Sequence, residues 1–238
     1  MLQINIVNNP NELSNVAAKI FSEIAVDAIE KRGRFTVALS GGSTPDAMYR
    51  KLISATLNWK QVFFFFGDER NIPPSDERSN FHMAENALFS SLTLPEENII
   101  RWHTEFGIPE RVAAEYNERV NTFFQGFPRF DLVLLGLGTD GHTASLFPGT
   151  NALGEQSESA VANWVESLNE YRFTITFPVI NNASNVVFLV SGKEKAAITK
   201  SVLEDQIQPK LPAQHVNPTN GMLLWLIDKP ASALLRTE

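Results

Sequence analysis

The sequence predicts an α/β fold, an open mixed or parallel sheet between helical layers, and three observations carry that prediction. Short, largely apolar runs recur at residues 35–39, 62–66 and 130–135, the second of them apolar throughout. Strands apolar on both faces suit a parallel sheet covered on both sides by helices. Segments with apolar residues at helical spacing fall between those runs, giving a β-α-β-α rhythm with short connections. Glycine-rich loops then follow the strands, where ligands of such sheets bind.

Residues 3–7 alternate as a short strand, and Pro10 with Asn11 opens a segment where Leu13, Val16, Ile20, Ile24 and Ala28 recur at helical spacing to about Lys31. Gly33 stops that helix, and residues 35–39 are too short an apolar run for a buried helix, so they read as a strand. The four phenylalanines Phe63 to Phe66 sit in a second buried strand at 62–66, and residues 130–135, bounded by Pro128 and Gly136, are a third. Helices are expected at about 79–90 and 109–124. The second half adds strands at 160–165, 172–177, 186–190 and 222–227, with helices near 193–203 and at the extreme C-terminus. No internal repeat or low-complexity linker interrupts the pattern, and 238 residues at about 150 per domain suit one domain over 1–238 better than two.

Composition narrows the function. Hydrophobic residues make up 43% and charged residues 20%, ordinary globular values. The absence of cysteine removes disulfides, thiolate nucleophiles and Cys-containing metal sites, and suits a reducing, cytoplasmic setting. No basic leader precedes the first apolar stretch and no apolar run approaches the roughly 20 residues that span a bilayer, so neither export nor membrane insertion is expected. Twenty Lys and Arg against 27 Asp and Glu give a net charge of −7, which disfavours a nucleic-acid surface. Small anions remain open, because a few converging cations and backbone N–H groups hold them whatever the total charge.

Three loops carry candidate chemistry. Ser40-Gly41-Gly42-Ser43-Thr44-Pro45 puts two glycines where a backbone must turn sharply, two hydroxyls beside them, and a proline expected at the first helical position. It reads as an anion cradle, with Gly41, Gly42, Ser43 and Thr44 offering N–H and O–H donors at a helix start. It lacks the Gly-Lys-Ser/Thr of a nucleotide-binding P-loop. The second loop opens as Gly67-Asp68-Glu69-Arg70. Its echo, Asp76-Glu77-Arg78, lies beyond two prolines and next to the helix cap Ser79, and reads as surface. The third loop, residues 136–149, contains G-x-G-x-x-G, yet Pro148 and Gly149 leave no room for the long helix of a dinucleotide site. What it does offer is Asp140 beside His142 at a strand end, a good general base near neutral pH. No G-x-S-x-G elbow makes Ser145 a nucleophile. Arg172 and Lys193, each at an element boundary, can reach the face of the 40–45 loop and supply positive charge for a phosphorylated ligand.

These pieces, in this order and spacing, resemble the glucosamine-6-phosphate isomerase/6-phosphogluconolactonase family. The resemblance rests on Ser40 to Pro45, on Phe66 to Arg70 with Ser79-Asn80, and on Gly136 to Gly149. Arg172 to Pro178 and Val190 to Lys195 extend it over nearly the whole chain. It implies a three-layer α/β/α fold with a mostly parallel central sheet, shared with glucosamine-6-phosphate deaminases and ribose-5-phosphate isomerases, and a place in the pentose phosphate pathway. In the deaminases a tyrosine follows the Asp-Glu pair and a glutamate sits five residues after the histidine. Arg70 and Phe147 hold those places here, which favours the lactonase.

The resemblance implies hydrolysis of a small sugar-phosphate lactone by activated water, with no cofactor, no metal and no covalent intermediate. His142 is then the base, Asp140 its orienting partner, Arg70 the oxyanion or sugar contact, and Asp68 the residue that orients Arg70 or binds a hydroxyl. Gly41, Gly42, Ser43 and Thr44 would cradle the phosphate, with Arg172 and Lys193 as counter-charges. Nucleic acid and membrane are not expected as partners, and the assembly expected is a monomer or weak homodimer. A noncatalytic sugar-phosphate sensor would leave Arg70, Asp140 and His142 without a purpose.

Overall fold

A computed structural model describes residues 2–236. Seven strands form a parallel sheet in the order β1-β10-β9-β6-β2-β3-β5. These are β1 (Leu2–Val7), β2 (Phe35–Leu39), β3 (Val62–Phe66), β5 (Ile99–Ile100), β6 (Leu132–Leu135), β9 (Asn185–Val190) and β10 (Met222–Asp228). A separate antiparallel sheet joins β4 (Asp68–Arg70), β8 (Glu170–Ile175) and β7 (Ala160–Val165). The helices are α1 (Pro10–Arg32), α2 (Ser43–Leu52), α3 (Asn80–Ala87), α4 (Pro109–Phe124), α5 (Phe177–Asn182), α6 (Ala196–Glu204) and α7 (Lys229–Ser232). None among the described residues is long and apolar enough to cross a membrane.

The alternation of β3 shows why the central sheet needs helices on both faces. Phe63 and Phe65 pack on Phe123 of α4, while Phe64 and Phe66 pack on Phe89, just beyond α3. Phe64, Phe65 and Phe66 are fully or almost fully buried. Their burial at about 25 cal/mol per Å² is the main favourable term here. Helix α1 begins at an Asn9 cap that accepts from the Glu12 N–H, and ends where Gly33, at φ 72°, donates to the Ile29 carbonyl. That left-handed position is what Gly33 supplies.

Several elements depart from the sequence reading. The strands near 160–165 and 172–177 leave the central sheet and form the small one, where β8 pairs with β4 on one side and β7 on the other. Arg172 is the third residue of β8 rather than its first, and Phe177 begins α5, with Pro178 in that helix's first turn. Pro45 is the third residue of α2, not the first. Its missing N–H is harmless there too, since the first four N–H groups of a helix have no intrahelical partner. The helix near 79–90 stops at Ala87 and gives way to a 3₁₀ turn, and the one near 193–203 divides into a 3₁₀ turn (Lys193–Lys195) and α6. The C-terminal helix is the single turn α7.

Two buried tyrosines fix the strand ends on which the site is built. Tyr49 on α2 accepts from the Ser40 N–H at 3.1 Å and donates to the Ser40 carbonyl at 2.9 Å, where β2 ends. Tyr116 on α4 does the same for Phe66 at 3.0 and 2.9 Å, where β3 ends, and Trp102 adds an indole N–H at 3.1 Å. Burial pushes both phenols up, so they remain protonated donors.

Candidate active site

The carboxyl ends of β9, β6, β2 and β3 stand side by side at one end of the parallel sheet. The chain winds outward from β2 to β3 on one side and from β6 to β9 on the other, so β2 and β6 flank a topological switch point. A cleft of about 370 Å³ opens there. Its walls come from the loops after β2, β3, β6 and β9, which contribute Gly41 and Gly42, Asp68 and Arg70, Gly138 and His142, and Lys195 respectively.

In the phosphate-loop candidate, Gly42 sits at φ 106°, a conformation open to glycine, and caps α2. Gly41 and Gly42 line the cleft, whereas Ser43 and Thr44 form the first turn of α2 beside it. A β-carbon on Gly41 would stand 1.8 Å from Asn80 Oδ1, so only glycine lets the loop lie against Asn80.

His142 is held from three directions. Its Nδ1 lies 2.6 Å from Asp140 Oδ1, which also accepts the His142 backbone N–H at 3.1 Å. Its ring stacks on Phe147 with centroids 4.1 Å apart and planes 27° apart. The backbone closes around it through Gly138 N–H to the His142 carbonyl at 2.9 Å. A carboxylate on Nδ1 places the neutral imidazole's proton there and leaves Nε2 as the acceptor. That is the protonation state of a general base.

Arg70 and Asp68 occupy β4, a strand of three charged residues that the small sheet holds at the cleft. Arg70 Nη1 donates to Asn80 Oδ1 at 2.5 Å and to the Arg78 carbonyl at 2.6 Å, and the guanidinium forms no ion pair among the described residues. Asp68 accepts from Ser145 Oγ at 2.8 Å and from Asn80 Nδ2 at 3.1 Å, so it reaches Arg70 through Asn80. Between them Glu69 is buried, accepting from Ser79 Oγ at 3.0 Å and from the Asn80 and Phe81 N–H groups at 2.8 and 2.9 Å. Burial pushes its carboxyl up despite these bonds.

The structure brings Gly41, Gly42, Asp68, Arg70 and His142 into one cleft, with Asp140 behind His142. It does not bring Lys193 there. Lys193 is exposed at the start of its 3₁₀ turn, and Lys195, two residues on, lines the cleft. Arg172 lines an adjoining cleft of about 320 Å³ that shares Gly42, Arg70 and Asn80 with the first. There it faces Arg70 in register across β4 and β8 and pairs with Glu170 at 2.5 Å. Burial holds its pKa below the ordinary arginine value. Lys195, Asn80 and Glu69 are the site residues that sequence reasoning passed over. Each lay inside a motif that the resemblance rests on, Val190 to Lys195, Ser79-Asn80 and Phe66 to Arg70, with no role of its own assigned.

Comparison with known proteins agrees with this architecture. A family model described as glucosamine-6-phosphate isomerases/6-phosphogluconolactonase matches residues 8–225. A protein of Synechocystis sp. named 6-phosphogluconolactonase is 38% identical, over 98% of each chain. The solved structure of 6-phosphogluconolactonase from Trypanosoma brucei is 28% identical and covers 99% of each chain, with a TM-score of 0.88. A monomeric glucosamine-6-phosphate deaminase, 23% identical with a TM-score of 0.80, shares the fold.

Proposed function

Because the chain belongs to the family of glucosamine-6-phosphate isomerases and 6-phosphogluconolactonases, we propose that its cleft hydrolyses 6-phospho-D-glucono-1,5-lactone to 6-phospho-D-gluconate with water activated by His142. The observation that carries this reading is the His142–Asp140 pair in the same cleft as Arg70. A cyclic ester is reactive enough to need only a positioned water, a base and a stabilised oxyanion. His142 Nε2 takes a proton from the water as its oxygen attacks C1. The imidazolium, stabilised by Asp140, then returns that proton to the ring oxygen as the C1–O bond breaks.

Arg70 offers Nη2 and Nε, which have no protein partner among the described residues, to the oxygen that gains charge on C1. Gly41, Gly42 and the start of α2 receive the phosphate, with Lys195 rather than Lys193 as the counter-charge inside the cleft. Arg172 adds positive field from the adjoining cleft. Phe147 supports hydrolysis over deamination. At the place where the resemblance puts a deaminase glutamate, this chain stacks an apolar ring on His142.

The test follows 6-phosphogluconate formation from freshly prepared lactone against the spontaneous background. Wild type is expected to accelerate it, His142→Ala to lower kcat by about 10²- to 10⁴-fold, and Lys195→Ala to act mainly by raising KM. No acceleration by wild type, with ammonia released from glucosamine 6-phosphate, would overturn the reading in favour of the deaminase.

A further inference from the structure

Arg70 is a long side chain on a strand of three residues, with no carboxylate to anchor it among the described residues. Its usefulness at a reacting carbonyl depends on whatever fixes its guanidinium. We propose that Asn80 is the positioning residue that holds Arg70 in the cleft and couples it to both Asp68 and the phosphate loop, an inference that rests on the lactonase reading above.

The amide of Asn80 has only one orientation that satisfies its neighbours. Nδ2 donates to the Asp68 carbonyl at 2.9 Å and to Asp68 Oδ1 at 3.1 Å, and Oδ1 accepts from Arg70 Nη1. Turned over, it would set an acceptor against two acceptors and a donor against a donor. The residue itself is 1% exposed, and Glu69 holds its backbone N–H. On the far side its Oδ1 occupies the space left by the missing side chain of Gly41. A displacement of Asn80 therefore moves Arg70, Asp68 and the loop together.

Helix capping does not account for this side chain. Ser79 caps α3 by accepting from the His82 N–H, and Glu69 takes the N–H groups of Asn80 and Phe81. The Asn80 amide is thus free for the cleft. Its removal leaves Arg70 tied only to the Arg78 carbonyl, on an exposed turn.

A double-mutant cycle distinguishes positioning from support. Asn80→Ala is expected to lower kcat for the lactone about 10- to 100-fold through loss of orientation. In an Arg70→Ala background the same change should lower kcat by less than about twofold, because the group it positions is gone. Thermal unfolding confirms that each variant is folded. An equal loss in both backgrounds, or a kcat left unchanged by Asn80→Ala, would each overturn the proposal. Should wild type not accelerate hydrolysis at all, only the lactonase reading fails. The cycle is then read by calorimetry as affinity for 6-phosphogluconate, with non-additive losses expected and additive ones overturning it.

Discussion

A β-carbon on residue 138 would stand 2.1 Å from His142 Nδ1. Gly138 is not among the positive-φ residues, so its backbone tolerates a side chain, and the three nearest atoms in conflict all belong to the imidazole. Gly138→Ala is expected to push His142 off Asp140 and lower kcat by about 100-fold with KM and melting temperature little changed, as steady-state kinetics beside thermal unfolding would show. Residues of this kind explain what the sequence reveals about a site. Asp140, His142, Arg70 and the glycines stand out because they cluster in loops that follow apolar strands, where ligands of such sheets bind. Lys195 did not stand out from Lys193, since two lysines two residues apart differ only in which way a short turn faces. Asn80 was quoted as part of a motif without a role, because its partners Asp68 and Arg70 lie 12 and 10 residues away and meet it only in three dimensions.

Among elements, β4 and α3 act as one unit, joined by Glu69. Its carboxylate takes three groups at the start of α3 and leaves none of them facing an apolar core alone. Glu69→Ala is expected to destabilise the protein by about 2–3 kcal/mol by leaving buried donors unpaired, read as a lowered melting temperature. The long helices α1 and α4 and the apolar strands β2 and β3 are legible in the sequence, because local periodicity and capping suffice to specify them. The short β4 is not. Three charged residues in a row give no alternating signal, and they become a strand only because β8 arrives about a hundred residues later to pair with them. The same non-local pairing moved β7 and β8 out of the central sheet, although their residues were read as strands.

Across the molecule, the acid limb of stability should carry opposing contributions. Arg101 grips Glu105 with two N–H groups at 2.9 and 2.7 Å and holds its carboxyl at about 2. A depressed carboxylate stabilises the fold above its ordinary value of 4.5, and that contribution disappears as pH falls through about 2. Glu69 works the other way. Its raised value means that the native state binds a proton before the unfolded chain does, so its contribution declines as pH rises above 4.5. Glu105→Gln should therefore cost stability at pH 6 and little of it by pH 2. With a side chain 43% exposed, screening keeps the cost below about 1 kcal/mol. Denaturant unfolding of both proteins at the two pH values would show the difference close.

The parallel run of the large sheet also sets which way the molecule faces. Strand β1 pairs in parallel with β10, from Leu2 beside Leu223 to Val7 beside Asp228. Leu2 therefore lies at the amino end of the sheet, and the cleft opens at the carboxyl end. A tether attached ahead of residue 2 would leave from the far side of the molecule. Protein immobilised that way would present its cleft to solution.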